Sequence, residues 1–323
     1  MHVPRATIGK RRDSAPSEFL PSVMIDPPPP PAPPPPSRVA VVRRSLWQLV
    51  RAGVGRPLMG GHNYAEADGP RFGSTPRSVH EVSAVSAPGS APARRNDVRL
   101  RLVSFNIDHG REIERAAALF QRDPALQDAG IILLQEMEEH GTERLARALG
   151  MDFVYYPAGH HPLSRQHFGN AILVRGSIVS DDKHLLPHLG RVRGTRRIAV
   201  AATVEVHGHR VTVVNVHLAT LLDASLAAQR DQILAVLDVA ARAEGTVIVG
   251  GDLNRRSLGL LVERRGYQWL TRNAGATLGP FAVDHLFARG LDPKVPSMAG
   301  VARDAGGASD HRPVWSVITL GGE

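Results

Sequence analysis

Six stretches of the chain carry apolar text into a residue able to bind a metal ion or move a proton. "VSFN" ends on Asn106, "LLQE" on Glu136, "VVNVH" on Asn215 and His217, "VGGDLN" on Asp252 and Asn254, "FAVDH" on Asp284, and "GASDH" on Asp310 and His311. Taken singly, each has a plainer reading. An Asp-x-Asn pair is commonly a turn, because both side chains bond nearby backbone. A buried His such as His217 is commonly a satisfied core residue, and Ser-Asp-His at 309–311 would also serve as a helix cap or a surface turn. Their joint occurrence at the ends of apolar runs favours a site, because converging ends would build one polar pocket at one edge of the fold.

The residue types narrow the chemistry. The set offers carboxylates, carboxamides and a few imidazoles, and the chain has no cysteine, so thiolate zinc sites, disulfides and cysteine nucleophiles are excluded. Hard oxygen donors suit Mg²⁺ or Mn²⁺ more than zinc. Mg²⁺ keeps waters and binds through one or two carboxylates together with substrate phosphate oxygens, so a phosphate ester is the natural substrate.

The elements that would position these residues are legible by periodicity. Strands are expected at 98–107, 129–137, 152–156, 170–175, 197–206, 210–216, 246–251, 282–287 and 313–319. Helices are expected at 111–121, at 142–150 with Thr142 as N-cap and Gly150 as the stop, and at about 222–243 with Leu222, Leu226, Ile233, Leu237 and Ala240 as the buried stripe. The runs "IILL", "VTVVNV" and "VIVGG" are apolar at nearly every position, so both faces of those strands should be covered. Strands outnumber helices, which fits two packed sheets with helices on the outer faces better than a doubly wound parallel sheet.

Residues 1–97 have another character. They hold 17 of the 25 prolines, including the run from Pro27 to Pro36, and are expected to form a disordered, Pro-rich basic region with a polyproline II spacer. One short amphipathic helix is expected at 39–52, and the folded boundary is placed near Val98. The net charge of +8 belongs mainly to this tail, which carries 13 Lys/Arg against 7 Asp/Glu, while residues 98–323 carry 26 against 24. A nucleic-acid reading of that charge is weakened by its location. No run of about 18 apolar residues is present, so no membrane span is expected. The start has no apolar stretch after its charges, and Arg51 interrupts the segment after Arg43-Arg44 that would follow a twin-arginine signal, so a cytoplasmic protein is expected. Nothing in the tail identifies a partner. Its removal is expected to leave turnover of a small substrate intact.

The ordered series "SFNI", "LLQE", "GNAILV", "VNVHL", "GGDLN", "VDHLF" and "SDHRPV" resembles the endonuclease/exonuclease/phosphatase superfamily, which includes deoxyribonuclease I-like nucleases, inositol polyphosphate phosphatases and neutral sphingomyelinases. The match runs from about Val98 to Leu320. It implies a deoxyribonuclease I-like, four-layered α/β sandwich, two packed mixed β-sheets flanked by helices, and a metal-dependent hydrolysis of a phosphoester. By motif, Glu136 would be the principal metal ligand, with Asn106 beside it and Asp310 close to the ion. Asp252 would orient and deprotonate the attacking water, kept ionised by the cation, and Asn254 would hold the water or a phosphate oxygen. His311, paired with Asp284 and so held protonated, would donate to the phosphate, and His217 would do likewise from the opposite side. Asn170 and Asn215 would brace the pocket. His160, His161 and His167 read as a solvated loop, with a substrate contact by His167 left open. Arg196 and Arg197 would either meet substrate phosphate or serve as edge-strand charges.

Three readings follow. The leading one is a phosphodiesterase, most simply a nuclease, with the basic tail as an electrostatic handle on nucleic acid. The second is a phosphatase or a sphingomyelinase-like lipid phosphodiesterase, and the third a non-catalytic binding module. The abasic-site nucleases show "WN", "QETK" and Arg-x-Asp where this chain has "SFNI", "QEME" and "FAVDH", so a DNA-repair role is disfavoured.

Overall fold

Alternation along single strands accounts for the layering. In the run Val211 to Val216, Val213 faces a core between two sheets while Val214 and Val216 face a helix on the far side, as a period-two element covered on both faces requires. The computed structural model describes residues 63–64, 69–74, 98–161, 166–192 and 194–321. In chain order the strands are β1 (Phe72–Gly73), β2 (Val98–Asn106), β3 (Ala129–Met137), β4 (Asp152–His160), β5 (His167–Val174), β6 (Ser177–Leu185), β7 (Ile198–Val206), β8 (His209–His217), β9 (Thr246–Asp252), β10 (Gln268–Trp269), β11 (Asp284–Arg289), β12 (Met298–Val301) and β13 (Val314–Leu320). The helices are α1 (Ile113–Arg122), α2 (Glu139–Leu149), α3 (Leu226–Ala241) and α4 (Gly259–Arg264).

One sheet has the order β1-β4-β5-β3-β2-β13-β12 and the other β10-β11-β9-β8-β7-β6. Both are mixed. β2 runs parallel to β3 and β8 parallel to β9, while the other pairings are antiparallel. Leu102, Ile131, Leu133, Val200, Ile248 and Leu286 fill the space between the sheets. α1 and α2 cover the outer face of the first sheet through Ile113, Phe120 and Leu145, and α3 covers that of the second through Ile233, Val236 and Leu237. This is the expected four-layered α/β sandwich.

Topology brings the polar strand ends together. The two parallel pairs end at Asn106 and Glu136 and at His217 and Asp252, while β11 and β13 run against them and begin at the same edge. Asp284 is the register partner of Asp252, and Val314 that of Ser104.

Glu138, not Thr142, caps α2, accepting from the amides of His140 and Gly141, while Thr142 sits in the first turn and donates to the Glu138 carbonyl. Gly150 does end the helix in the left-handed conformation. In α3 the expected stripe fails at its start. Leu222 lies before the Ser225 cap, Leu222 and Leu226 are exposed, and the buried face includes Gln229 and Gln232. The edge strand β6 escaped notice because its text, "SIVSDDKHL", is half exposed and polar. The expected helix at 39–52 and the proline spacer lie outside the described residues. Among the described residues no helix is long and apolar enough to cross a membrane.

Part of the region upstream of Val98 belongs to the domain. Phe72 pairs with Tyr155 on the β4 edge of one sheet, and Arg71 donates two hydrogen bonds, of 2.7 and 2.6 Å, to Asp181 on the β6 edge of the other. Asp181 also accepts from the Tyr156 hydroxyl at 2.6 Å, and its side chain is 2% exposed. Asn63 donates to the Gly194 carbonyl and accepts from the Arg196 amide. Asn63, Arg71 and Phe72 therefore tie the two sheets together where both end. Removing residues 1–97 leaves Asp181 buried without its cation, a loss on the order of 3 kcal/mol or more. The thermal midpoint of that truncation is expected to fall by roughly 6 °C or more, whereas removal of residues 1–60 leaves it unchanged; calorimetry of both proteins checks this.

Candidate active site

The polar end is built around Asp252. Its Oδ2 lies 3.1 Å from Asn106 Nδ2, 3.5 Å from His217 Nε2 and 3.9 Å from His311 Nε2, while its Oδ1 accepts from the Asn254 amide at 2.7 Å. Backbone geometry makes this approach possible. Gly251 has φ +138°, and a Cβ there would lie 1.9 Å from the Val216 carbonyl oxygen, so β9 can carry Asp252 alongside β8 only through a glycine. Asn254, at φ 52°, then turns the chain back and donates through Nδ2 to the Leu218 carbonyl.

Glu136 faces it from the other sheet. It lies in a break of the β3–β5 register, at φ 60°, a left-handed conformation that points its carboxylate into the pocket. Its Oε1 is 3.3 Å from Asn106 Nδ2 and 3.9 Å from His217 Nε2, and its Oε2 is 3.3 Å from His109 Nε2. Asn106 thus bridges one carboxylate from each sheet. Asn215 and Asn170 brace the arrangement. Asn215 crosses from β8 to donate to the carbonyls of Leu134 and Ala171, both at 2.8 Å, and accepts from Gln135. Asn170 donates to the Ile198 carbonyl at 3.1 Å.

His311 completes the pocket. Its Nδ1 is 2.8 Å from Asp284 Oδ2, and its amide is held by Ser309, whose hydroxyl donates to the Asn106 carbonyl at 2.7 Å. His285, beside Asp284 in sequence, turns the other way and accepts from Trp269.

The electrostatics separate these groups. Burial pushes the Glu136 carboxyl up, but His109, His217, Arg197 and His311 together bring it down to about 2, so it is ionised at neutral pH. Burial and the adjoining Arg197 guanidinium drive His217 well below 6.5, leaving it a neutral imidazole. Burial opposes the charge on His311, yet its contact with Asp284 and the nearby Asp252 and Asp310 raise it to about 10. Asp252 behaves differently from Glu136. Burial and the Asp284 charge raise it to about 7, against the pull of His311 and the Asn254 and Asn106 hydrogen bonds.

Of the three residues expected around a metal, Glu136 belongs to a cluster of groups that could hold an ion, Asn106 presents its amide nitrogen to the carboxylates, and Asp310 is close enough to raise His311 but lies outside that cluster. That cluster is Asp108, His109 and Glu136, each offering one ligand atom within 4.8 Å of the others. Two hard carboxylates with one already ionised fit a Mg²⁺ or Mn²⁺ ion. A second group, Asp252, Asp284 and His311, fits less well, because protonated His311 is engaged with Asp284. The signal for Asp108 and His109 lay in "NIDHG", where polar text continues past the strand end at Asn106.

The histidines read as a solvated loop are not one. His160 and His167 face each other at the ends of β4 and β5, His161 is 7% exposed with its ring 4.4 Å from that of His109, and His167 Nε2 is 2.8 Å from the Tyr64 hydroxyl while its Nδ1 pairs with Glu139. Arg197 is likewise no edge-strand charge. It is buried, with Nη1 2.9 Å from His217 Nδ1, and stands over the Phe168 ring, whereas Arg196 stays half-buried and gives its amide to Asn63.

The family model described as endonuclease/exonuclease/phosphatase family matches residues 103–311. No curated protein matches the chain significantly in sequence. Among solved structures, an endonuclease/exonuclease/phosphatase from Beutenbergia cavernae is 22% identical with a TM-score of 0.55, the match covering 69% of this chain and 72% of that one. A humanized TDP2 from D. rerio is 18% identical with a TM-score of 0.53, covering 69% of this chain and 99% of that one. A mannosyl-6-phosphatase from Bacteroides thetaiotaomicron is 19% identical with a TM-score of 0.52, covering 68% and 99%. At such identities the structural likeness carries the fold, and the family model carries the membership.

The Asp284–His311 contact has a direct readout. Asp284→Asn removes the negative charge that raises His311, so its ring is expected to titrate well below about 10, toward the ordinary value near 6.5. NMR titration of the histidine rings in the parent and the variant measures the shift.

Proposed function

The chain belongs to the endonuclease/exonuclease/phosphatase family, and on that premise we propose that it hydrolyses a phosphodiester by attack of a water deprotonated at Asp252. The observation that carries the reading is the position of Asp252 Oδ2, between His217, His311 and the Asn106 amide, with the other oxygen fixed by Asn254. One oxygen is thereby held as a hydrogen-bond anchor and the other is left to take the proton. A carboxyl at about 7 is well matched to that task, since a general base works best with its pKa near the operating pH.

The remaining groups serve the charge that builds on the phosphoryl oxygens. His311, kept protonated by Asp284, donates through Nε2. His217 is neutral and donates one N–H, with the permanent charge of Arg197 beside it. A Mg²⁺ or Mn²⁺ ion held by Glu136, with Asp108 and His109 adjoining, would neutralise the same oxygens when bound. Asn106 keeps Glu136 and Asp252 at a fixed separation. Of the two readings open for Arg197, its contact with His217 supports the phosphate-binding one. A phosphatase reading shares every one of these residues; the mannosyl-6-phosphatase among the structural neighbours gives it support.

Two outcomes test the proposal. In the presence of Mg²⁺, Asp252→Ala is expected to lower turnover of bis(p-nitrophenyl) phosphate by about a thousandfold or more while the protein stays folded. Activity equal to the parent would sink the role of Asp252, and a p-nitrophenyl monoester cleaved in preference to the diester would move the assignment to a phosphatase. The pH profile follows from the same groups. Activity rises as Asp252 loses its proton around pH 7 and falls as His311 loses its proton toward pH 10, and Asp284→Asn moves the alkaline limb downward.

A further inference from the structure

The failure of the α3 stripe at Leu222 and Leu226 is part of a larger pattern. Among the described residues nine large apolar side chains are exposed, and Leu189, Val192, Leu221, Leu222, Leu226 and Phe281 belong to the loops, or to the helix start that follows one, at the pocket end of the sandwich. Exposed apolar side chains scattered singly need no explanation, but a cluster around the mouth of a site marks a contact surface.

These loops are built, not frayed. The amides of Arg191 and Val192 donate to the Asp223 carbonyl and carboxylate at 2.7 and 3.2 Å, so segments 186–192 and 218–225 are tied to each other. Two buried glutamines of α3 fix the second loop from beneath. Gln232 accepts from the Ala219 amide at 3.0 Å, and Gln229 donates to its carbonyl at 2.7 Å. Leu221 and Leu222 are therefore held outward at 54% and 53% exposure by a scaffold that polar core residues maintain. The first loop runs directly into Arg197, and the second begins where His217 ends. Across the pocket, Phe281 is 61% exposed on a tight turn with Leu278, which bridges to His311.

The charges among these side chains are mostly positive. Arg191 is exposed and Arg196 half-buried on the first loop, and Arg255 and Arg256 follow Asn254. The acidic neighbours are engaged: Asp223 within its own loop pair, and Asp231 with His188 at 2.8 Å. An aliphatic rim with arginines matches an interface of acyl chains beneath anionic headgroups, where apolar burial and cationic attraction add. It does not match single-stranded nucleic acid, which would call for several stacking aromatics where this rim has one.

We propose that this rim seats the pocket on the surface of an anionic phospholipid bilayer, so that the phosphoester delivered to Asp252 is a membrane-borne one. The inference rests on the phosphoester reading above for its substrate, but the docking itself is measured without turnover.

The test is flotation of the full chain with phosphatidylcholine vesicles prepared with and without phosphatidylglycerol. The parent is expected to float with the anionic vesicles, and the double variant Leu221→Asp/Leu222→Asp to bind them about tenfold more weakly or worse. Phe281→Ser should weaken binding in the same direction from the other rim. Met298→Asp, an exposed apolar position on β12 remote from these loops, should leave it unchanged. Hydrolysis of a phosphodiester lipid in those vesicles should fall with binding in the double variant, while hydrolysis of bis(p-nitrophenyl) phosphate stays at the parent level. The proposal is overturned if the parent does not float, if the double variant floats equally well, or if Met298→Asp removes binding as strongly. It is also overturned if the parent is a dimer that the double variant separates, or if the variant loses oligonucleotide binding and keeps vesicle binding. Flotation without hydrolysis of any phosphoester would uphold the docking and remove the catalytic reading.

Discussion

The pocket depends on a buried carboxamide that crosses between the sheets. Asn215, fully buried on β8, donates to the Leu134 and Ala171 carbonyls of the opposite sheet, at the place where the β3–β5 ladder loses its register. Each of those carbonyls would otherwise be a buried acceptor beside a broken ladder, a cost of about 1–3 kcal/mol apiece. The contact therefore holds the sheets in one lateral alignment, and that alignment sets Glu136 opposite Asp252. In a strand a slip of one residue reverses every side chain, so a polar pin of this kind specifies what apolar packing alone would leave loose.

From that alignment follows a division of labour among the buried charges. Asn106 is shared by Glu136 and Asp252, yet the two carboxyls behave oppositely. Glu136 sits among cations and is ionised far below neutrality, while Asp252 sits nearer Asp284 and retains its proton up to about pH 7. The same pocket makes one imidazole neutral and another cationic, because Arg197 stands beside His217 and Asp284 beside His311. Pairs of like groups pushed apart by their surroundings are how one site supplies both an acid and a base.

Much of this was legible in the sequence because it rests on strand ends. Apolar runs closing on Asn106, Glu136, His217, Asp252 and Asp284 could be read by period alone, and the fold only had to bring them to one edge. What was missed lay where local text misleads. Asp108 and His109 follow the strand in a short turn with positive φ, a conformation that periodicity does not address. The Glu138 cap was hidden because Thr142 is the stronger capping type, and Leu222 and Leu226 were assigned to a stripe that buried glutamines in fact complete. Arg71 and Phe72 stand in a Pro- and Gly-rich region, and only their partners Asp181 and Tyr155, more than eighty residues on, show that they belong to the fold.

The backbone at Glu136 has a consequence for how this domain can change. A glutamate at φ 60° occupies a conformation that costs an L-residue about 1 kcal/mol and a glycine almost nothing. Position 136 is thus a place where selection for stability and selection for the pocket pull in opposite directions. A glycine would relax the chain and remove from the pocket an ionised carboxylate, so the strain at this position is tied to the side chain it presents.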